Sequence, residues 1–210
     1  MNIREMEIEK YIDILSSDAP APGGGSAGAL CGAQGIALAL MVANLTLGRE
    51  KYQSCFDICN SAVRDGTVLQ NEFLAAVDKD TEAFNVVSAA YKMPRQTDEQ
   101  KRQRSEKIAQ ATIIATQAPL NVMRLAFKAL QITETLVGNS NTNLVSDLGA
   151  AAVNLLACVK SEWLNVLINL GNIKDAALCE QLKSESVGLY TKSEALAGKI
   201  FSDVESALTE

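Results

Sequence analysis

Asp80 is flanked at −7, −3, +4 and +7 by Phe73, Val77, Phe84 and Val87. On a helix, this carboxylate shares one face with four large apolar side chains. Desolvation there raises a carboxyl pKa, and a carboxyl that keeps its proton near neutrality is a ready general acid. An ion pair with Arg or Lys of another helix explains the same spacing, so both readings stand. Amides form a second group. Asn165 and Asn169 lie one turn apart in a run of Trp, Leu, Val and Ile, and Asn44 lies among Leu40, Met41, Leu45 and Leu47. Buried amides need partners, either other helices or the polar edge of a heterocyclic ligand. The third feature is Asp18-Ala-Pro-Ala-Pro-Gly-Gly-Gly-Ser26. Two prolines stop any arriving helix, and Gly23, Gly24 and Gly25 let backbone amides approach another molecule closely. Ser26 reads as the N-cap of a helix whose positive end attracts anions and carbonyl oxygens. The loop is neither GxGxxG nor followed by GK[ST], and a turn before a capped helix is its plain structural reading.

Absences narrow the chemistry. The 210 residues contain no histidine, which removes Ser-His-Asp and Cys-His catalysis and HExxH zinc sites. Any acid or base is Asp, Glu, Lys, Tyr or Cys. A net charge of −6 argues against a nucleic-acid surface, so an anionic ligand needs a local positive site. Five cysteines without a CxxC pair read as reduced thiols of a cytoplasmic protein, and the charged first residues lack a signal-peptide core.

Long helices must position these groups. Residues 2–16 read as an amphipathic helix with Ile3, Met6, Tyr11, Ile14 and Leu15 on its apolar side. The uncharged stretch Ala27–Leu47 is long enough to span a bilayer, but its apolarity comes from Ala and Gly. That composition favours a central helix packed on all sides through small residues, with no membrane partner. Further helices are expected over 52–93, with Asp65-Gly66 as a candidate interruption; from Asp98 to Val137, kinked at Pro119; from Ser146, as cap, to Leu170; and over 174–208. Asp147 then lies in a first turn, where the dipole favours it, and the basic residues Lys101, Arg102 and Arg104 read as a solvated face. With no period-2 run, the fold class is all-α, a bundle of long helices in a single domain over 1–210.

Four blocks carry a family resemblance. Residues 20–52, PAPGGGSAGALCGAQGIALALMVANLTLGREKY, resemble the N-terminal signature of the cyclodeaminase/cyclohydrolase family. Asp80-Thr-Glu-Ala-Phe84 resembles its D-x-x-A-F motif. Asn141-Thr-Asn143-Leu-Val-Ser146-Asp147-Leu-Gly149 resembles its N-x-N-x-x-S-D-x-G segment, and Asn165-Val-Leu-Ile-Asn169-Leu its N-V-x-I-N-L segment. Two departures stand out: Ser140 where the family usually has Gly, and Ser161-Glu162 where it often has Gly-Ala.

The resemblance implies an all-helical homodimer that binds a tetrahydrofolate derivative near the subunit interface and needs no metal or redox cofactor. The chemistry would be hydrolysis of 5,10-methenyltetrahydrofolate to 10-formyltetrahydrofolate, or its formation from 5-formiminotetrahydrofolate with loss of ammonia. A chain without a formiminotransferase domain leans toward the hydrolysis. A folate-binding protein that lost turnover is a further reading. By the same resemblance Asp80 is the proton donor. Asp147 and the asparagines Asn44, Asn141, Asn143, Asn165 and Asn169 would orient the pterin or polarise water. Arg49 and Lys51 would meet the glutamate tail, and Gly23, Gly24, Gly25 and Ser26 would hold the ligand by their backbone.

Overall fold

The computed structural model describes residues 3–209. Met1, Asn2 (the start of the helix expected over 2–16) and Glu210 lie outside the described residues. Six α-helices account for most of the chain: α1 (Ile8–Leu15), α2 (Gly24–Thr46), α3 (Phe56–Tyr91), α4 (Asp98–Leu136), α5 (Val145–Leu170) and α6 (Ala176–Thr209). Short 3-10 turns occupy Ile3–Glu5, Glu50–Cys55 and Thr142–Leu144. Among the described residues there is no strand.

The central helix is α2, packed mainly between α3 and α5 and touching α4, with α6 outside α4 and α5. Its glycines set the register. A β-carbon on Gly32 would stand 2.4 Å from the Phe73 ring, and one on Gly35 2.7 Å from Leu155. The side that faces α3 and α5 therefore has to be Cβ-free, and the small-residue composition of α2 is a packing requirement. The contact pairs 25 with 80, 32 with 73 and 36 with 66 run α3 antiparallel to α2; 28 with 162 and 35 with 155 do the same for α5. The core that results holds Ile36, Phe73, Leu120, Met123, Leu130 and Leu155, none with any exposure. By length and composition α2 and residues 142–170 would be long and apolar enough to cross a membrane.

Several expected boundaries differ. Asp65-Gly66 does not interrupt α3, because Gly66 packs against Leu40 and Ile36 of α2. The helix start expected at Tyr52 falls at Phe56, after the Glu50–Cys55 turn. Ser146 is not a cap: α5 starts at Val145 after Leu144, and Asn141 instead caps the preceding 3-10 turn, its side chain accepting from the Asn143 N–H. Thr97 and Gln100 form a reciprocal capping box that starts α4.

Candidate active site

The N-terminal turn of α2 lacks a side-chain cap of its own. Gly23 occupies the N-cap position in extended conformation, so the expected Ser26 cap is displaced by one turn. Ser26 is fully buried, and its hydroxyl has no hydrogen-bond partner. The anion that serves this turn comes from α3: the Ser26 N–H donates to Asp80 Oδ2 over 3.0 Å. Asp80 is therefore a cap supplied across the helix interface, seated where the helix dipole is positive. Only glycine permits that approach, since a β-carbon at Gly25 would lie 2.1 Å from Asp80 Oδ1. Burial pushes the Asp80 carboxyl up from its ordinary range, and the Ser26 N–H, which favours the charged form, pulls it partly back.

Two cavities meet at this carboxyl, and Gly25, Asp80 and Pro119 line both. The first, about 380 Å³, is bounded by Gly23, Gly24, Phe84, Asn165 and Asn169. Its amides are partly used by the fold. Pro119 has no N–H to give the Ala115 carbonyl four residues earlier, and Asn169 Nδ2 donates to that carbonyl over 2.9 Å. Asn165 Nδ2 donates to the Ser161 carbonyl over 3.1 Å. Both side chains keep an oxygen free of protein donors among the described residues, leaving acceptors on the cavity wall. The second cavity, about 330 Å³, carries the cations Lys79, Arg124 and Lys128 and ends on Glu162. Arg124 pairs with Glu185 over 2.6 Å and also touches Asn121. Lys79 and Lys128 are exposed and have no ion-pair partner among the described residues.

Sequence reasoning missed Glu162, Lys79, Arg124 and Lys128 as site residues. Glu162 carried a signal: Leu155, Cys158, Val159 and Val166 sit at −7, −4, −3 and +4, and all are fully buried. That is the pattern that singled out Asp80. Glu162 is 1% exposed, and its Oε1 has no partner.

The other expected site residues gather at the far end of α2. The helix has 23 residues, so its ends lie about 34 Å apart at 1.5 Å per residue. There the Asn141 N–H donates to Thr46 Oγ1 over 2.9 Å, and Asn141 Oδ1 accepts from Tyr52 Oη and the Asn143 N–H, each over 3.1 Å. Asn141 is buried, whereas the side chain of Asn143 is exposed and Asp147 is half-buried in the first turn of α5. Asn44 is exposed, contrary to its expected burial, because the apolar residues beside it, Met41 and Leu45, face outward too. Arg49 and Lys51 are exposed, and the Lys51 ammonium stands 5.2 Å from the centre of the Tyr52 ring. None of these lines either cavity at Asp80.

Comparison with known proteins bears on this geometry. The family model described as formiminotransferase-cyclodeaminase matches residues 7–187. The chain is 36% identical over 199 residues to a methenyltetrahydrofolate cyclohydrolase of Methylorubrum extorquens, spanning 95% of this chain and 96% of that protein. It is 25% identical to the formimidoyltransferase-cyclodeaminase of Rattus norvegicus, of which it spans 38%. A crystal structure of formiminotetrahydrofolate cyclodeaminase from Thermotoga maritima superposes with a TM-score of 0.82 at 28% identity, covering 99% of this chain and 98% of that one.

Proposed function

Because the chain belongs to the formiminotransferase-cyclodeaminase family, we propose that it hydrolyses the one-carbon bridge of 5,10-methenyltetrahydrofolate to give 10-formyltetrahydrofolate. One observation carries the reading: a desolvated carboxyl stands between an amide-lined cavity and a cation-lined one. The ligand has the same order of parts. Its pterin edge carries N–H donors suited to the free oxygens of Asn165 and Asn169, and its glutamate tail carries carboxylates suited to Lys79, Arg124 and Lys128. The reacting N5–C–N10 unit lies between them.

Asp80 is the proton shuttle. Water attacks the bridge carbon of the cationic substrate, and as the C–O bond forms, the Asp80 carboxylate takes one proton from the water. The C–N5 bond then breaks with its electron pair going to N5, which receives the proton from Asp80. The hydroxyl proton leaves to solvent as the formyl C=O forms, so the cycle releases one proton and restores the carboxylate. These steps use protons and one water, with no metal or redox cofactor. The Thermotoga maritima likeness supports a second reading with the same shuttle. There N10 attacks the carbon of the protonated 5-formimino group, Asp80 carries the N10 proton to the resulting amino nitrogen, and ammonia leaves as the 5,10-methenyl cation forms.

The working unit on this reading is a homodimer in a reducing cytoplasm, where the five free thiols persist. Met41 and Leu45 are exposed at the far end of α2, and Leu164 and Ile168 of α5 are exposed near its start. A second copy antiparallel along α2 would cover both patches. It would also bring Asn44, Arg49, Asn143 and Asp147 of one protomer toward Gly23–Ser26 of the other, which reunites the residues that one protomer separates.

The test is the ultraviolet absorbance of the methenyl bridge. Added protein should speed its loss from 5,10-methenyltetrahydrofolate above the spontaneous rate, with 10-formyltetrahydrofolate as product. No acceleration, with absorbance rising from 5-formiminotetrahydrofolate instead, would favour the ammonia-releasing reading. Folate binding without either change would make the chain a non-catalytic binder.

A further inference from the structure

Glu162 occupies a position that a structural side chain rarely tolerates. It is buried on α5, lines the cation-bearing cavity, and leaves Oε1 without a hydrogen-bond partner. Its seat is prepared as carefully as that of Asp80. A β-carbon on Gly28 would stand 2.5 Å from Glu162 Oε1, as one on Gly25 would stand 2.1 Å from Asp80 Oδ1. The two glycines are three residues apart on α2, and β-carbons at that spacing are about 5–6 Å apart, so the two carboxyl oxygens lie within about 10 Å of each other. The cavity they share carries charged side chains among its apolar walls and, at about 330 Å³, is large enough to hold water between them.

We propose that Glu162 is a positioning residue: a neutral carboxyl that donates a hydrogen bond, through cavity water, toward Asp80 and so holds Asp80 in the ionised form that begins the cycle. The inference rests on the folate reading only for that last clause. A proton shuttle must start empty, yet the Asp80 site is desolvated, which favours a full one. A donor aimed at the ionised form offsets that bias without adding a charge. The groups facing Glu162 fit a neutral acid. Cys31 of α2 and Cys158 of α5 are thiols that burial holds in the protonated form. Asp80 and Glu72 of α3 add negative charge, while Lys79, Arg124 and Lys128 line the same cavity but leave Glu162 without a salt bridge. Burial, and then the Asp80 charge, push the Glu162 carboxyl well above its ordinary range.

The measurement is the Asp80 titration midpoint, followed by NMR on full-length protein carrying a 13C-labelled aspartate carboxyl, with Asp80→Asn assigning the signal. Glu162→Gln keeps a neutral donor and should leave the midpoint where it is. Glu162→Leu removes the donor and should raise it by about one pH unit, the size expected for losing one hydrogen bond to a charged group. Gly28→Ala, which displaces the Glu162 carboxyl while retaining it, should also raise the midpoint, and it carries the test if Glu162→Leu does not fold. An unmoved midpoint in both Glu162→Leu and Gly28→Ala would reduce Glu162 to packing. A lowered midpoint in Glu162→Gln would mean that Glu162 is ionised and acts by repulsion, which also overturns the proposal. If methenyl hydrolysis is present, its acid limb should move with the midpoint. If the wild-type protein turns over no folate, the folate reading fails while the titration still decides the role of Glu162.

Discussion

The two ends of α2 are built on opposite terms. At the far end Thr46, Tyr52, Asn141 and the Asn143 N–H satisfy one another in a closed hydrogen-bond set. At the near end the Ser26 hydroxyl and Glu162 Oε1 lack partners, and two carboxyls are desolvated. Buried polar groups without partners cost free energy, so a fold keeps them where something else requires them. Satisfaction marks the end that holds the bundle together, and frustration marks the end proposed to meet a ligand.

Substitutions should divide along that line. The largest expected effect is Asp80→Asn, which should lower turnover by about 10²–10⁴-fold, the usual worth of a positioned acid–base group. Helicity by circular dichroism and the unfolding midpoint should stay near wild type. A loss of stability parallel to the loss of rate would erase the contrast. Gly25→Ala should lower turnover next most strongly, because its β-carbon enters the space of the Asp80 carboxyl, whereas Gly23→Ala, whose β-carbon meets no protein atom within 4 Å, should leave the unfolding midpoint unchanged.

At the far end, Asn141→Ala leaves the Asn143 N–H without its acceptor and the Tyr52 hydroxyl with Thr142 Oγ1 alone. Urea unfolding should show a loss of about 2–4 kcal/mol. Smallest should be the pH dependence of stability. The folded chain holds the Glu162 proton more tightly than the unfolded chain does, so this contribution is complete at low pH and is lost as pH rises through the raised folded pKa. Glu162→Gln removes the dependence. Its unfolding midpoint should therefore gain on wild type as the pH increases, and a constant difference across pH would sever Glu162 from the frustrated end.

Much of this was legible in the chain. The Ala and Gly content of residues 27–47 announced a helix packed closely against its neighbours, and the apolar stripe around Asp80 announced a desolvated carboxyl. The structure bears out the carboxyl, although Phe84 on that stripe is 41% exposed because it stands on the wall of the cavity. The helix does pack closely on α3 and α5, but not on all sides as expected, since Gln34, Met41, Asn44 and Leu45 are exposed along it. The misreadings share a cause. Ser26 looked like a cap because local sequence cannot show a carboxylate arriving from another helix, and the same blindness hid the anchor of Asn169 at Ala115. Asn44 looked buried because apolar neighbours imply burial only if something covers them. Glu162 is hidden for a different reason: it stands in the sequence as a departure from a motif, and only the buried stripe of Leu155, Cys158, Val159 and Val166 around it marks it as a desolvated carboxyl.

The bond from Asn169 to Ala115 has a consequence for how such a chain can change. Pro119 leaves a defect in α4, and a residue fifty positions downstream repairs it. With alanine at 119 the repair has nothing to mend, yet the asparagine amide still donates to the Asn165 carbonyl over 2.9 Å. Losing Asn169 first strands the Ala115 carbonyl, whereas losing Pro119 first strands nothing. Lineages descended from this chain should therefore give up the proline before the asparagine, and the order in which the two part has a direction built into it.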